Sequence, residues 1–285
     1  MKVILVVTTD KSSMLEQADY AARIFSSMGV VCYMDIAYSG KMQEKAILFE
    51  DFGKADAPEV DVVVAIGGDG TILRCARYAM MIDKPILGIN AGRLGFLTTI
   101  EKDDIASMEK FVEGDYFITE RMMLSIDHHK NNGEVVNHTA LNDMVIRNGV
   151  HTRIVDVDIQ DGSHVSQVRA DGVIFATPTG STAYSLAAGG PIVDPSVETI
   201  IMTPICPHTL VSRSIIYGAD RELVVRGVHD NEHSSNLVMA IDGQPDIVIE
   251  NGEYLVVRKS KTHVKLIALE DKNFYGVLKD KIAAM

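Results

Sequence analysis

The chain is short of cysteine, of positive charge and of long apolar runs, and each shortage closes off a class of protein. Its 285 residues hold three cysteines, Cys32, Cys75 and Cys206. They form no CxxC pair and their number is odd, so thiols in a reducing compartment are expected rather than a disulfide framework. Lys and Arg total 27 against 39 Asp and Glu, for a net charge of −12. Nucleic-acid binding needs a basic footprint that displaces counterions from phosphates, so no nucleic-acid partner is expected. No apolar stretch approaches the ~20 residues that cross a bilayer. The opening residues carry an apolar run only from Val3 to Val7, followed by Asp10, which is not a secretory leader pattern. The expectation is a cytoplasmic protein with no membrane partner. Several chemical signatures are missing too. There is no Walker A loop, no GxGxxG, no HExxH and no GxSxG nucleophile elbow.

What is present suffices for a large core. Hydrophobic residues make up 47% and charged residues 23%, a globular balance, and the length accommodates two domains of roughly 100–150 residues. In the first hundred residues, short buried runs (3–7, 30–33, 60–66, 85–89) alternate with helical patterns (13–28, ending at Gly29, and 71–80). That alternation predicts a parallel sheet with helices on its faces. Residues 103–112 read as one more helix. From Glu120 onward short β-rich runs dominate, at 122–127, 143–147, 154–160, 165–170, 173–177, 214–217, 222–225, 237–241 and 254–259. Turn residues such as Asn131-Asn132-Gly133 separate them, an all-β pattern of two packed sheets. Residues 274–282 are helical again. The predicted fold is an α/β N-terminal domain with a parallel sheet over 1–102, onto which 266–285 packs back, and an all-β sandwich over 103–265.

Three segments carry chemistry. Gly67-Gly68-Asp69-Gly70-Thr71 joins a buried strand to a helix. Glycines there allow close approach of phosphates, and a helix N-terminus offers free N–H groups. Asp69 beside a phosphate site makes sense as a proton acceptor, a partner of metal-bound water or a sugar-hydroxyl acceptor. A tight βα turn with Asp69 as helix cap fits the spacing equally well. The second segment, residues 88–98, has three glycines in eight residues, which suits a ligand-side backbone or a domain linker. The third, residues 171–190, runs from a strand into a loop of hydroxyls and small residues, Thr177-Pro178-Thr179-Gly180-Ser181-Thr182, suited to hydrogen bonding a nucleotide. It is too long and too apolar for a solvated turn. Two histidine pairs are weaker. His229 and His233 flank an acidic loop that reads as solvated, and His128-His129 reads as a solvent-facing strand end.

In this order, GGDGT, GINAGRLGFLT, Asn142-Asp143, DGVIFATPTGSTAYSLAAGGPIV, TPICPHTLVSR and Asp242-Gly243-Gln244 resemble the NAD kinase family over nearly the whole chain. The resemblance implies transfer of the γ-phosphoryl group of ATP to the 2′-hydroxyl of the adenosine ribose of NAD, giving NADP, with Asp69 as general base. It implies a phosphate loop of Gly67, Gly68, Gly70 and Thr71, with Gly70 and Arg74 also lining the NAD site. Asn142 and Asp143 resemble the pair that binds ribose hydroxyls. The family more often carries Glu at the second place, so Asp143 reaches one methylene less far. Arg153 and Arg169 resemble positions near phosphate or a partner subunit, and Asp171 a contact to the nicotinamide end. Thr182, Ala183, Tyr184, Ser185, Leu186 and Ala187 resemble the adenine and ribose wall, and Gln244 a further NAD contact. Mg²⁺ or another divalent cation accompanies ATP, no permanently bound cofactor or protein metal site is expected, and a homodimer or homotetramer is. A lipid kinase shares the GGDGT run, but the GSTAYS loop argues against it. A non-catalytic dinucleotide sensor would not need Asp69.

Overall fold

The structure is a computed structural model that describes residues 1–7, 12–41, 46–49, 59–91, 95–102, 104–149, 154–209, 212–228, 237–269 and 274–283. The chain divides into two compact units, residues 1–120 with 264–285, and residues 121–263. Among the described residues no helix is long and apolar enough to cross a membrane.

The first unit contains β1 (Lys2–Val7), α1 (Ser12–Ser27), β2 (Val31–Asp35), β3 (Ile47–Phe49), β4 (Val62–Gly67), α2 (Asp69–Met81), β5 (Ile86–Asn90) and α3 (Ile105–Glu113). The strands lie parallel in the order β5-β4-β1-β2-β3. Every residue of β4 and β5 is buried, as expected of strands covered on both faces. Val3, Leu5, Val62, Val64, Ile66, Leu87 and Ile89 form one face with Phe25 of α1 and Phe111 of α3. On the other face lies α2, which buries Ile72, Cys75, Ala76 and Ala79. The chain leaves β1 on one side for β2 and β3, then returns on the other side for β4. The carboxyl end of β4 therefore stands at the switch point of the strand order, where open α/β sheets bind ligands.

The second unit is a sandwich of two sheets. Its strands are β6 (Phe117–His129, from residue 121), β7 (Val135–Ala140), β8 (Asp143–Asn148), β9 (Val155–Asp161), β10 (His164–Ala170), β11 (Gly172–Ala176), β12 (Thr199–Ile205), β13 (Ile215–Gly218), β14 (Glu222–Gly227), β15 (Leu237–Ile241), β16 (Ile247–Ile249) and β17 (Tyr254–Ala268, to residue 263), with a short helix α4 (Tyr184–Ala187) after β11. One sheet runs β10-β9-β14-β17-β6-β7, the other β13-β12-β11-β8-β15-β16. Alternate residues such as Val155, Val157 and Ile159 from the first and Val173, Phe175 and Met239 from the second fill one core, the period-2 burial a sandwich requires. A last helix, α5 (Phe274–Ala283), belongs to the first unit.

The unit boundary falls after residue 120 rather than after 102. The cause is α3, whose Phe111 meets Phe25 of α1 edge-on with ring centroids 5.8 Å apart. Four strands had no clear sequence signal: β3, β7, β12 and β16. Inside β12 sits Pro204, which argues against a central strand. It is tolerated because β13 pairs only with Thr199 to Met202, so no ladder asks Pro204 for a donor on that side. His128 corrects another expectation. It is fully buried, and its Nε2 bonds the Glu253 carboxylate at 2.8 Å; its strand alternation turns it inward. His129 stacks on Tyr254.

Candidate functional site

In the first unit the GGDG turn and the 95–98 segment form one structure. Gly67 ends β4 with φ +151°, and a Cβ there would stand 2.2 Å from Thr71 Oγ1, so the turn needs glycine. Gly68 is the N-cap of α2 and makes no side-chain cap bond. Asp69 is consequently the first helical residue and not the cap. Its carboxylate reaches away from its own helix and accepts Phe96 N–H at 2.9 Å and Leu97 N–H at 3.0 Å. Gly95 makes this approach possible, since a Cβ there would lie 2.1 Å from Asp69 Oδ1 and 2.8 Å from Thr98 Oγ1. The segment is anchored beyond Asp69 as well. Thr99 and Ile100 N–H both bond Gly88 O, and Asn90 Nδ2 bonds Glu101 Oε2 at 2.8 Å. A carboxylate fixed by two charge-assisted bonds thus stands at the N-terminus of α2, beside the exposed backbone of Gly70. Arg74 is exposed, five positions along α2.

In the second unit Asn142 and Asp143 meet the loop that follows β11. Thr177 N–H bonds Asn142 O at 2.8 Å, Thr177 Oγ1 donates to Leu141 O at 2.6 Å, and Gly180 N–H bonds Thr177 Oγ1 at 3.0 Å. Gly180 packs so closely that a Cβ would lie 2.1 Å from Asn142 O. Of the hydroxyls beyond it, Ser181 exchanges bonds with Val193, Thr182 Oγ1 donates to Thr179 O, and buried Ser185 pairs with Thr203 Oγ1 at 2.9 Å. Ser185 therefore shapes the loop from inside. Thr182, Ala183 and Leu186 are partly exposed, and Tyr184 and Ala187 are exposed.

The other side of this corner is the turn after β15. Asp242 and Gly243 both have positive φ (49° and 69°), and Gln244 N–H closes the turn on Ile241 O at 2.9 Å. Gln244 itself is exposed. The Asp242 carboxylate accepts three successive amides, from Leu141 (2.8 Å), Asn142 (2.8 Å) and Asp143 (3.1 Å). Asp143 is buried, and burial followed by the Asp242 charge pushes its carboxyl up to about 7. Burial also raises Asp242, while its three amides pull it down.

Asp171 and Arg169 stand elsewhere. Asp143 pairs with Ala176 at one end of β11, whereas Asp171 precedes the other end, about 15 Å along the strand. Asp171 lies 3.5 Å from His208 Nε2, and Arg169 lies 3.5 Å from Asp156. Arg153, Gly92 to Leu94, His229 and His233 fall outside the described residues. Among the described residues no group of three His, Cys, Asp or Glu side chains is arranged to hold a metal. Two of the segments singled out in the sequence carry roles that their residue types alone do not reveal: the Phe96 and Leu97 amides, with Gly95 as their enabling residue, and Asp242 as acceptor of three amides. The glycine density of 88–98 was the available signal for the first, and the Asp242-Gly243-Gln244 run marked the place of the second without its partners.

Comparison with known proteins agrees with this architecture. Residues 3–116 match the family model of the ATP-NAD kinase N-terminal domain, and residues 141–269 that of the ATP-NAD kinase C-terminal domain. An NAD kinase of Caldanaerobacter subterraneus is 43% identical over 251 residues, covering 86% of this chain and 87% of its own. One from Symbiobacterium thermophilum is 35% identical over 287 residues, covering 99% of both. The fold is that of yeast NADH kinase, solved in complex with NADH, with a TM-score of 0.88 at 23% identity over 99% of this chain and 87% of that one. An Archaeoglobus fulgidus NAD kinase solved with ATP gives 0.74 at 23% identity, covering 100% of both chains. With both of its domains matched and relatives this similar along its length, the chain belongs to the NAD kinase family.

Proposed function

We propose that the chain transfers the γ-phosphoryl group of ATP to the adenosine 2′-hydroxyl of NAD, giving NADP and ADP, with Asp69 as general base. The observation that carries this reading is the Asp69 carboxylate, fixed by Phe96 and Leu97 amides at the start of α2. As the 2′-oxygen bonds to the γ-phosphorus, its proton passes to Asp69 and the bond to the ADP oxygen breaks. Mg²⁺ arrives with ATP as part of the substrate and neutralises its phosphates. Backbone N–H groups of Gly68 and Gly70 suit phosphate binding, while that of Thr71 closes the first turn of α2 on Gly68 O at 2.9 Å. Asn142 and Asp143 hold ribose hydroxyls, the Thr182 to Ala187 stretch and Gln244 line the nucleotide, and Arg74 contributes to its site. Most of the rate comes from positioning and charge neutralisation, and the base adds to it.

The test is NADP formation from Mg-ATP and NAD, read by an NADP-specific dehydrogenase, in wild type and Asp69→Asn. Loss of a general base costs about 10²–10⁴-fold in kcat, while NAD affinity by calorimetry stays within a few-fold. A second reading has its own observation, the two amide bonds themselves. If Asp69 only pins residues 96 and 97, Asp69→Asn lowers stability and NAD affinity together with rate.

Arg169 and Asp171, at the far end of β11 from Asn142, support a homo-oligomer in which they serve a neighbouring subunit's NAD. Light scattering should give at least twice 31.2 kDa; a fully active monomer contradicts it. The three free cysteines, two of them buried, suit a reducing cytoplasm.

A further inference from the structure

We infer that Asp242, which has no nucleotide contact in the proposal above, is a positioning residue that sets the Asn142–Asp143 corner by clamping its backbone. The inference rests on the reading of that corner as the ribose site. The geometry is specific. Three consecutive N–H groups, of Leu141, Asn142 and Asp143, converge on one carboxylate, and Asp242 N–H returns a bond to Asp143 O at 3.0 Å. Consecutive amides pointing one way make an anion site, and here the chain fills it with its own side chain. Reaching it requires φ +49° at Asp242, a conformation uncommon for a residue other than glycine. That departure is tolerated because the surrounding bonds over-determine it. From the other side Thr177 N–H and the close-packed Gly180 fix Asn142 O. The Asn142 backbone is thus held from both directions, which leaves its side-chain amide as the free element.

The clamp has a second consequence. From the strands flanking β8, Asp143 meets the uncharged Ala176 of β11 and, just past β15, Asp242. Burial and the Asp242 charge are the causes that act on it, and both hold its proton on. Burial raises Asp242 as well, and its three amides oppose that rise; with its own carboxyl raised to about 7, Asp143 is partly protonated near neutrality and can donate a hydrogen bond to a ribose oxygen as well as accept one.

The experiment compares Asp242→Asn and Asp242→Ala with wild type. The readouts are NAD affinity by calorimetry, backbone amide exchange at residues 141–143, and the Asp143 carboxyl titration by NMR without nucleotide. We expect NAD affinity to fall about 10-fold or more in Asp242→Ala and less in Asp242→Asn. Amide exchange should speed up at all three positions, and the Asp143 titration in Asp242→Asn should move to lower pH, a shift that a purely structural role would not produce. Unchanged exchange and an unmoved titration overturn the inference even if affinity falls. Faster exchange and a moved titration with unchanged NAD affinity uphold the clamp and overturn the ribose reading of Asn142 and Asp143. Should neither variant fold, the wild-type amides decide: exchange at 141–143 no slower than in exposed turns contradicts the clamp.

Discussion

Asp69 and Asp242 do similar mechanical work in different units and in different electrostatic settings. Each carboxylate binds successive backbone amides of a segment far away in sequence: Phe96 and Leu97 for Asp69, Leu141 to Asp143 for Asp242. Asp69 opens a helix, and a glycine on the clamped segment lets it approach. Asp242 sits in a left-handed turn, and a second carboxyl stands beside it. The first clamp fixes a group that can itself take a proton. The second fixes the backbone that presents Asn142 and a carboxyl that keeps its proton to about pH 7. In the function proposed above, the first clamp serves rate and the second nucleotide affinity, and that division can be broken experimentally.

The largest effect after loss of Asp69 itself is expected from Gly95→Ala. The added Cβ would fall 2.1 Å from Asp69 Oδ1, so the carboxylate must move. Misplacement of a reacting group by about 1 Å costs on the order of 10²-fold in rate. Steady-state kinetics should show kcat falling by about that factor with KM for NAD within a few-fold. An unchanged kcat would separate the clamp from the chemistry.

Asn142→Ala comes next and should act on the other quantity. Alanine keeps the backbone bonds to Asp242 and Thr177, so the corner survives while its side-chain amide is lost. Leaving ribose hydroxyls unpaired costs roughly 1–3 kcal/mol, which should appear in KM with kcat nearly constant. A fall in kcat alone would mean that the units do not divide the work in this way.

The smallest effect concerns stability. The Asp143 carboxyl is raised to about 7 in the folded chain, against an unfolded value of roughly 3.9. A raised folded value gives stability that is fully present below about pH 4 and is lost as pH rises through about 7. Asp143→Asn removes that loss. Its melting temperature should match wild type near pH 4 and exceed it at pH 8 by roughly 2–4 °C for each kcal/mol recovered. Parallel curves at both pH values would place the proton elsewhere.

Much of the fold was legible because burial leaves a local trace. β4 is six consecutive buried residues ending at a glycine, and β9 alternates buried and half-buried positions. α2 begins at Asp69, two residues before its pattern becomes visible, because Gly68 and Gly70 hide the first turn. β12 was obscured by Pro204, and its tolerance depends on where the neighbouring strand stops. The site was legible as separate motifs and not as connected ones. Residues 69 and 96, or 242 and 141, become partners only through the sheet order, which no spacing rule encodes. Ser185 adds a contact that its motif does not announce, since its hydroxyl is bonded to Thr203 inside the loop.

Kinetics of Asp69→Asn and Asn142→Ala side by side, with Mg-ATP saturating and NAD varied, decide whether Asp69 serves the chemistry and Asn142 the binding. The wild type should form NADP, Asp69→Asn should lose about 10²–10⁴-fold in kcat at near-normal KM, and Asn142→Ala should raise KM at near-normal kcat. An Asp69→Asn variant within a few-fold of wild-type kcat would rule out Asp69 as the base.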